Sequence, residues 1–324
     1  MGLLYPQKRL FLLFVVLSVV VTVVLLFMFS YIEPTDHDAT VPVAENTGHS
    51  RRKRIAVSFW GRTGNHIFEY AALIGTADRN NMTPVIVENT DLVDLFDFQI
   101  PKLTVQNPTR EFEVVNERLA GAYNPEVEKL KDLNKDVYLK GYLQSWKYFH
   151  PFEKKLKQKY FKFKDNLLRE ADEFLNQART HLRKSKNSLY IGVHIRRGDF
   201  VRAKSRGYGA VPVPYFYRAM NYYLKKYKDV IFVVCSNGLT WCKDNLDSDF
   251  YPIQYSTLGD SGADLALLSR CNHSIISVGS FSWWSGYLAG GEVVYPVDAF
   301  PVPNTSIGDS YVRADYFLPG WTRL

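Results

Sequence analysis

An unbroken stretch of 23 uncharged residues, Leu10 to Ile32 (LFLLFVVLSVVVTVVLLFMFSYI), constrains this chain more than any other feature. As a helix rising 1.5 Å per residue it would reach roughly 34 Å, against about 30 Å for a bilayer's hydrocarbon core. A secretory signal has a shorter apolar region of about 7–15 residues closed by small residues. Ser30-Tyr31-Ile32-Glu33-Pro34 offers no such cleavage site. Residues 10–32 therefore read as a transmembrane anchor. Lys8 and Arg9 precede it, and Glu33, Asp36 and Asp38 follow it. That bias predicts a cytosolic tail over 1–9 and a single-pass type II protein, with the rest of the chain in the lumen of the secretory pathway.

Residues 33–53 are polar, carry Pro34 and Pro42, show no period and read as a stem. Arg51-Arg52-Lys53-Arg54 closes it, either as a solvated basic run or as a processing site that would release a soluble domain. A lumenal location makes the sequons at Asn81, Asn272 and Asn304 candidate N-glycosylation sites.

The whole chain has 324 residues, 46% apolar and 15% aromatic, which is enough for two domains with real cores and excludes a disordered or low-complexity protein. Three cysteines, Cys235, Cys242 and Cys271, are too few for a disulfide scaffold and permit three alternative single bridges. No CxxC or Cys/His cluster suggests a zinc site. The net charge of +7 favours anionic partners weakly, and the lumenal topology argues against nucleic acid.

From residue 54 the pattern is α/β. Ile55–Trp60 is an apolar run closed by Gly61-Arg62-Thr63-Gly64, a helical pattern starts at Asn65, and Pro84–Val87 resumes as a strand. This is a βαβ unit of the doubly wound kind. Val137–Tyr142 predicts another strand, and Pro151–Lys186 a basic amphipathic helix or two, whose lysines need be no more than a solvated face. A second series then alternates: strand Leu189–Ile195, helix Pro214–Tyr227, strand Val230–Cys235, helix Trp241–Leu246, helix Asp264–Cys271, strand Ser274–Val278, helix Trp283–Ala289 and strand Glu292–Tyr295. Two α/β halves, 54–186 and 187–324, follow.

The densest chemistry is Gly192-Val193-His194-Ile195-Arg196-Arg197-Gly198-Asp199, at the C-terminal end of a buried strand, where open α/β sheets place ligands. Alternation puts His194 and Arg196 on one face. A guanidinium there offers a planar fork of donors suited to phosphate oxygens, and Asp199 would hold it in place. A purely structural Arg–Asp pair has the same spacing.

HIRRGD resembles the H-x-R-R-x-D motif of α1,2- and α1,6-fucosyltransferases and protein O-fucosyltransferases. Gly61-Arg62-Thr63-Gly64-Asn65-His66 with Glu69-Tyr70-Ala71 resembles the GRxGNQ…YA segment of the α1,2 group. Gly141-Tyr142-Leu143-Gln144-Ser145 with Tyr148-Phe149 resembles its GYFQS…YF, and Cys235-Ser236-Asn237-Gly238 with Trp241-Cys242 its SNG…WC. Asp264–His273, Gly279–Trp284 and Tyr287–Gly291 resemble the animal pattern DFALL…CNH…GTF…W…YLAGG. With five matches in order over residues 54–297, the chain is similar to the animal galactoside α1,2-fucosyltransferases, glycosyltransferase family 11.

The resemblance implies a GT-B fold with two Rossmann-like domains, the second holding the sugar nucleotide. It implies transfer of L-fucose from GDP-fucose, with inversion and no metal, to the 2-hydroxyl of a terminal galactose on a glycan, at the Golgi membrane. By family position, Arg196 would bind the leaving diphosphate, His194 and Asp264 the guanine, and Ser280, Phe281 and Ser282 the phosphate through backbone and hydroxyl groups. Asn65 and Arg62 would lie near the donor, with Arg197 beside them. The base for the galactose hydroxyl stays open between Asp199 and Glu69. Gln144, Trp146 and Glu69 are candidates on the acceptor side, and Trp283 and Trp284 could stack on a sugar or pack in the core. His66 stands where the family has Gln, and Ser282-Trp283 where many animal members carry Gly and another apolar residue.

Two other readings compete. Asp247-Ser248-Asp249 has the spelling of the Asp-x-Asp that binds manganese in GT-A transferases. A membrane-tethered glycan-binding protein without catalysis would keep the same surroundings but lose the charged cluster. The Gly61–Asn65 turn lacks the Gly-Lys-Ser/Thr ending of a nucleotide P-loop.

Overall fold

Arg54–Val57 (β1) is a short run whose apolar residues are wholly buried, and it leads through the Gly61 turn into the helix Thr63–Asn80 (α1). In this computed structural model, residues 51–203 and 207–324 are described, so the anchor and tail expected from the sequence, and nearly all of the stem, lie outside the described residues. Among the described residues no helix is long and apolar enough to cross a membrane.

α1 ends where Asn81 turns into the left-handed region at φ 52°, its N–H capping Ala77 and Asp78 carbonyls. β1 pairs in parallel with Thr83–Pro84 (β2) on one side and with Val137–Lys140 (β4) on the other, and Glu113–Asn116 (β3) lies outside β4. The first sheet is thus all parallel in the order β2-β1-β4-β3.

The basic stretch 151–186 forms short helical turns, a break in which Phe163 bridges Phe96, and one regular helix, Asp165–His181 (α2). Leu167, Ala171, Phe174, Leu175 and Ala178 make its buried face, and its charged residues turn to solvent, as a packed amphipathic helix requires. That face lies on the second sheet, against Tyr190, Ile231 and Val233, with the Tyr190 hydroxyl donating to the Leu175 carbonyl at 2.7 Å. A helix that precedes residue 187 in sequence therefore packs with the strands that follow it.

The second sheet is built on Leu189–Ile195 (β5), whose unbroken apolar run is what a strand covered on both faces needs. From β5 the chain winds outward through the helix Val213–Lys226 (α3), Val230–Ser236 (β6), the helix Leu239–Asn245 (α4) and Ile253–Tyr255 (β7). It returns through the helix Ser261–Ser269 (α5) to His273–Ile275 (β8) on the other side of β5, then through the helix Ser280–Ala289 (α6) to Val293–Tyr295 (β9) and Thr322–Arg323 (β10). The order is β10-β9-β8-β5-β6-β7, all parallel.

The two sheets share one core. Residues on nearly every side of α1 are buried because α6 covers the side that the first sheet leaves open. Phe68 of α1 sits 4.6 Å from Trp283 and 4.9 Å from Trp284, ring centroid to centroid. Such aromatic pairs add about 0.5–1.5 kcal/mol each beyond their buried area. Both tryptophans are buried, so core packing, and not sugar stacking, is what they do here. Cys235, Cys242 and Cys271 are all buried free thiols, so none of the three bridges permitted by the sequence is present.

Candidate active site

In an open parallel sheet the ligand crevice lies beyond the strand C-termini where the winding direction reverses. The reversals fall between β5 and β8 in the second sheet and between β1 and β4 in the first. Each of these four strands delivers one part of the site.

β5 delivers Arg196. Its backbone N–H donates to Ser277 Oγ at 2.9 Å, which ties the end of β5 to the segment after β8, and Ser277 N–H in turn donates to Ser282 Oγ at 2.8 Å. The Arg196 Nη2 donates to both Asp199 oxygens, at 2.7 and 2.9 Å, and the guanidinium lies 5.0 Å from the Phe200 ring centroid. Asp199 thus fixes the fork while Arg196 keeps further donors. His194, two residues earlier on the same face, is 5% exposed and packs on the Phe281 ring at 4.9 Å. Burial, then the nearby Arg196 charge, pushes its pKa down to about 3, so the imidazole is neutral. Its Nδ1 has no hydrogen-bond partner among the described residues. Asp264, in the first turn of α5, accepts from Ser256 Oγ at 2.5 Å, and burial raises its pKa. Arg197 turns from the cluster: its N–H donates to Asn237 Oδ1 and its guanidinium stacks 3.7 Å above the Trp241 ring.

β8 delivers the start of α6. The amides of Ser280, Phe281 and Ser282 belong to the first helical turn and bond to no carbonyl among the described residues, since the helical series begins with Trp283 N–H to Gly279 O. No acidic residue stands in the first turn of α6, nor in that of α1. The two turns touch: Gly64 lies so close to α6 that a Cβ on it would come within 2.4 Å of the Phe281 nitrogen. The two helix N-termini thus meet close to the Arg196–Asp199 pair, with the Asp91 carboxyl accepting from Thr63 Oγ1 at the start of α1, and the free amides at the start of α6 favour an anion.

β1 and β4 deliver the loops that hold this contact. Asn65 Oδ1 accepts from Ser280 Oγ at 2.5 Å across the two halves and from Gln144 Nε2 at 2.9 Å. Arg62, three-quarters exposed, reaches across to Asp199 at 3.7 Å. His66 Nδ1 pairs with Asp91 Oδ1 at 2.6 Å. The residue that departs from the family's Gln is therefore joined to the loop after β2. Burial pushes Asp91 up, but the hydrogen bonds from His66 and Thr63 outweigh it and the carboxyl ends below its ordinary value.

Several expectations from the sequence change here. Glu69 does not face the cleft. It is 0% exposed, both oxygens accept the Trp60 N–H at 3.0 and 3.1 Å, and burial, aided by the Glu117, Glu88 and Asp91 charges, pushes its pKa up to about 10. A neutral buried acid is not a base at neutral pH. Gln144, 4% exposed, has its amide on Asn65 and its carbonyl on the Tyr311 hydroxyl at 2.6 Å, so it positions Asn65 instead of reaching an acceptor. Ser282 turns its hydroxyl inward to Ser277, leaving only its amide to meet a phosphate. Trp146 donates its indole N–H to the Ala314 carbonyl at 3.1 Å.

The Asp247-Ser248-Asp249 triplet lies between α4 and β7, at the N-terminal edge of the sheet, opposite to Arg196. Asp247 Oδ1 accepts from the N–H groups of Asp249 and Phe250, which makes it a turn former. Among the described residues no group of three or more His, Cys, Asp or Glu side chains is gathered to hold a metal. Asn81, Asn272 and Asn304 are all exposed, the first two at strand N-terminal edges away from the cleft.

These features define a doubly wound α/β protein whose Arg196 cluster and helix starts meet where its two sheets reverse. The chain belongs to glycosyl transferase family 11, whose pattern matches residues 20–324. It is 30% identical over 277 residues to human (Homo sapiens) galactoside alpha-(1,2)-fucosyltransferase 1, covering 82% of this chain and 73% of that one. It is also 30% identical over 297 residues to galactoside alpha-(1,2)-fucosyltransferase 2 of Hylobates lar, covering 88% and 84%. Among solved structures it is similar to POFUT1 in complex with GDP, at TM-score 0.49 and 12% identity over 75% of this chain and 96% of that one. The fucosyltransferase NodZ from Bradyrhizobium matches at TM-score 0.44 and 13% identity, over 73% and 92%.

Proposed function

We propose that this protein transfers L-fucose from GDP-fucose to the 2-hydroxyl of a terminal galactose on a glycan. The observation that carries the reading is the contact of the α1 and α6 N-termini close to Arg196, whose guanidinium joins helix-start amides as donors suited to a diphosphate. Family membership and the names of the relatives supply the sugar and the linkage. In this reading the bond from fucose C1 to the β-phosphate oxygen breaks as the galactose oxygen attacks C1, and the galactose proton is lost to a base. The leaving GDP gains charge, and Arg196 with the Phe281 and Ser282 amides stabilises it where it develops. His194 and Asp264 border the guanine, and Arg62 and Asn65 close on the fucose. With Glu69 buried and neutral, Asp199 is the candidate base that stays at the cleft.

The same proposal assigns 187–324 to GDP-fucose, 54–186 to the acceptor, and the pair to a GT-B arrangement. It places the chain in the Golgi membrane through residues 10–32, with the catalytic part lumenal. Incubation of the full chain with GDP-fucose and lactose, followed by linkage analysis, tests the activity. Fucose on galactose O2 is expected; GDP-fucose consumed with fucose on another position, or no transfer to any galactoside, contradicts it. Protease protection of the lumenal part in sealed microsomes tests the topology.

A further inference from the structure

Among the described tryptophans Trp60 stands out, because it is 41% exposed while Trp283 and Trp284 are buried in the core, Trp321 packs on Trp283, and Trp146 and Trp241 have partners of their own. It lies beyond the C-terminal end of β1, two residues before Arg62, which reaches Asp199. The Tyr142 ring meets it edge-on at 5.9 Å and 79°, and Lys140 Nζ stands 5.8 Å from its ring centroid. β1 and β4 are neighbours, so the switch point of the first sheet presents two aromatic rings and one ammonium side by side.

The backbone under these rings is built to hold them. Trp60 N–H is bonded to the buried Glu69 carboxyl and Phe59 N–H to Glu88 Oε2 at 3.1 Å. Glu117 accepts from Tyr142 N–H at 2.6 Å and from Leu143 N–H at 2.7 Å. Gly141, at φ 144°, lies where a Cβ would run into the Glu117 side chain, and Leu143 is held at φ 51°, a left-handed conformation unusual for a bulky residue. Strain kept by surrounding bonds is found where geometry matters for function. Here it holds Tyr142, whose ring meets the exposed Trp60 edge-on.

We propose that Trp60, with Tyr142 against its edge, is the platform on which the acceptor galactose stacks, so that it sets affinity for the acceptor and not for the nucleotide. This rests on the galactoside transfer proposed above. Galactose carries its 4-hydroxyl axially, which leaves the C–H groups of C3, C4 and C5 as one apolar patch that complements an aromatic face. The 2-hydroxyl lies off that patch and stays free to meet the donor. Lys140 provides a hydrogen-bond donor for a hydroxyl at the rim of the ring.

Steady-state kinetics of the full chain, with lactose as acceptor, separate the roles. Trp60→Ala is expected to raise the KM for lactose by about 10–100-fold, the loss of about 1.4–2.7 kcal/mol of stacking and apolar contact. The dissociation constant of GDP should stay within about twofold, which also shows that the variant is folded, and Trp60→Phe should keep the lactose KM within about fivefold of wild type. An unchanged lactose KM in Trp60→Ala, or GDP affinity falling alongside it, overturns the proposal. If the wild type transfers no fucose, the activity reading fails by itself, and the platform is then read by fluorescence titration with lactose. Binding lost in Trp60→Ala supports it; binding equal in both proteins, or absent from the wild type, overturns it.

Discussion

Gly64 and Phe281 come from opposite halves of the protein and touch backbone to backbone: a Cβ on Gly64 would lie 2.4 Å from the Phe281 nitrogen and 2.8 Å from its Cα. The obstacle is main chain at a helix start, which cannot swing aside as a side chain would. Gly64→Ala must therefore push α1 and α6 apart and carry the Asn65–Ser280 bond with them. We expect a stability loss of about 1–3 kcal/mol, the usual cost of overpacking. Turnover should fall about 10²-fold, as for reacting groups displaced by about 1 Å. Thermal unfolding and kcat measured on one preparation check this; full activity in Gly64→Ala would show that the close contact has no bearing on the reaction.

Among the described residues Arg196 meets one carboxylate partner, Asp199, through a single nitrogen, which leaves its other donors for a ligand. Its removal should lower kcat by about 10²–10³-fold, the scale for a lost preorganised contact to developing charge. Arg196→Lys should recover little, since a single ammonium cannot hold Asp199 and a phosphate with one planar fork. Circular dichroism and GDP binding together with kinetics distinguish this from misfolding. Wild-type kcat in a folded Arg196→Ala protein would refute the role.

Glu69 predicts a pH signature. Its folded pKa, near 10, lies above the ordinary 4.5, so the folded protein holds a proton that the unfolded chain releases. Its contribution to stability is complete below about pH 4.5 and is lost as pH rises toward 10, by at most about 1.4 kcal/mol per pH unit. Glu69→Gln keeps an acceptor for the Trp60 N–H without an ionisable group. It should flatten the fall in stability between pH 5 and pH 9 and leave kcat within about threefold. Parallel stability curves for the two proteins, or loss of turnover in Glu69→Gln, would return Glu69 to the list of bases.

Strand ends were the legible part of this site. His194, Arg196 and Asp199 stand at the end of an unmistakable buried strand, and the structure gathers them at the switch point. Local pattern could not show which way a residue in a first helical turn points, so Ser282 read as a phosphate hydroxyl although it bonds inward to Ser277. Glu69 and Gln144 look like surface polar groups in sequence; Glu69 is buried under the turn after β1, where it accepts from Trp60 N–H, and Gln144 is held between Asn65 and Tyr311. Trp60 escaped notice because it closes an apolar run that reads as strand, whereas β1 ends at Val57 and the next residues leave the sheet. β3, β7 and β10 are edge strands or lie next to one, of two to four residues, too short for a period to declare itself.

A crystal structure of the full chain with GDP tests the central claim most directly. The account predicts the β-phosphate within hydrogen-bond distance of the Arg196 guanidinium and of a free amide at the start of α6, beside the Gly64–Phe281 contact. A nucleotide bound elsewhere, with Arg196 still joined to Asp199 and no phosphate at the start of α6, would contradict it.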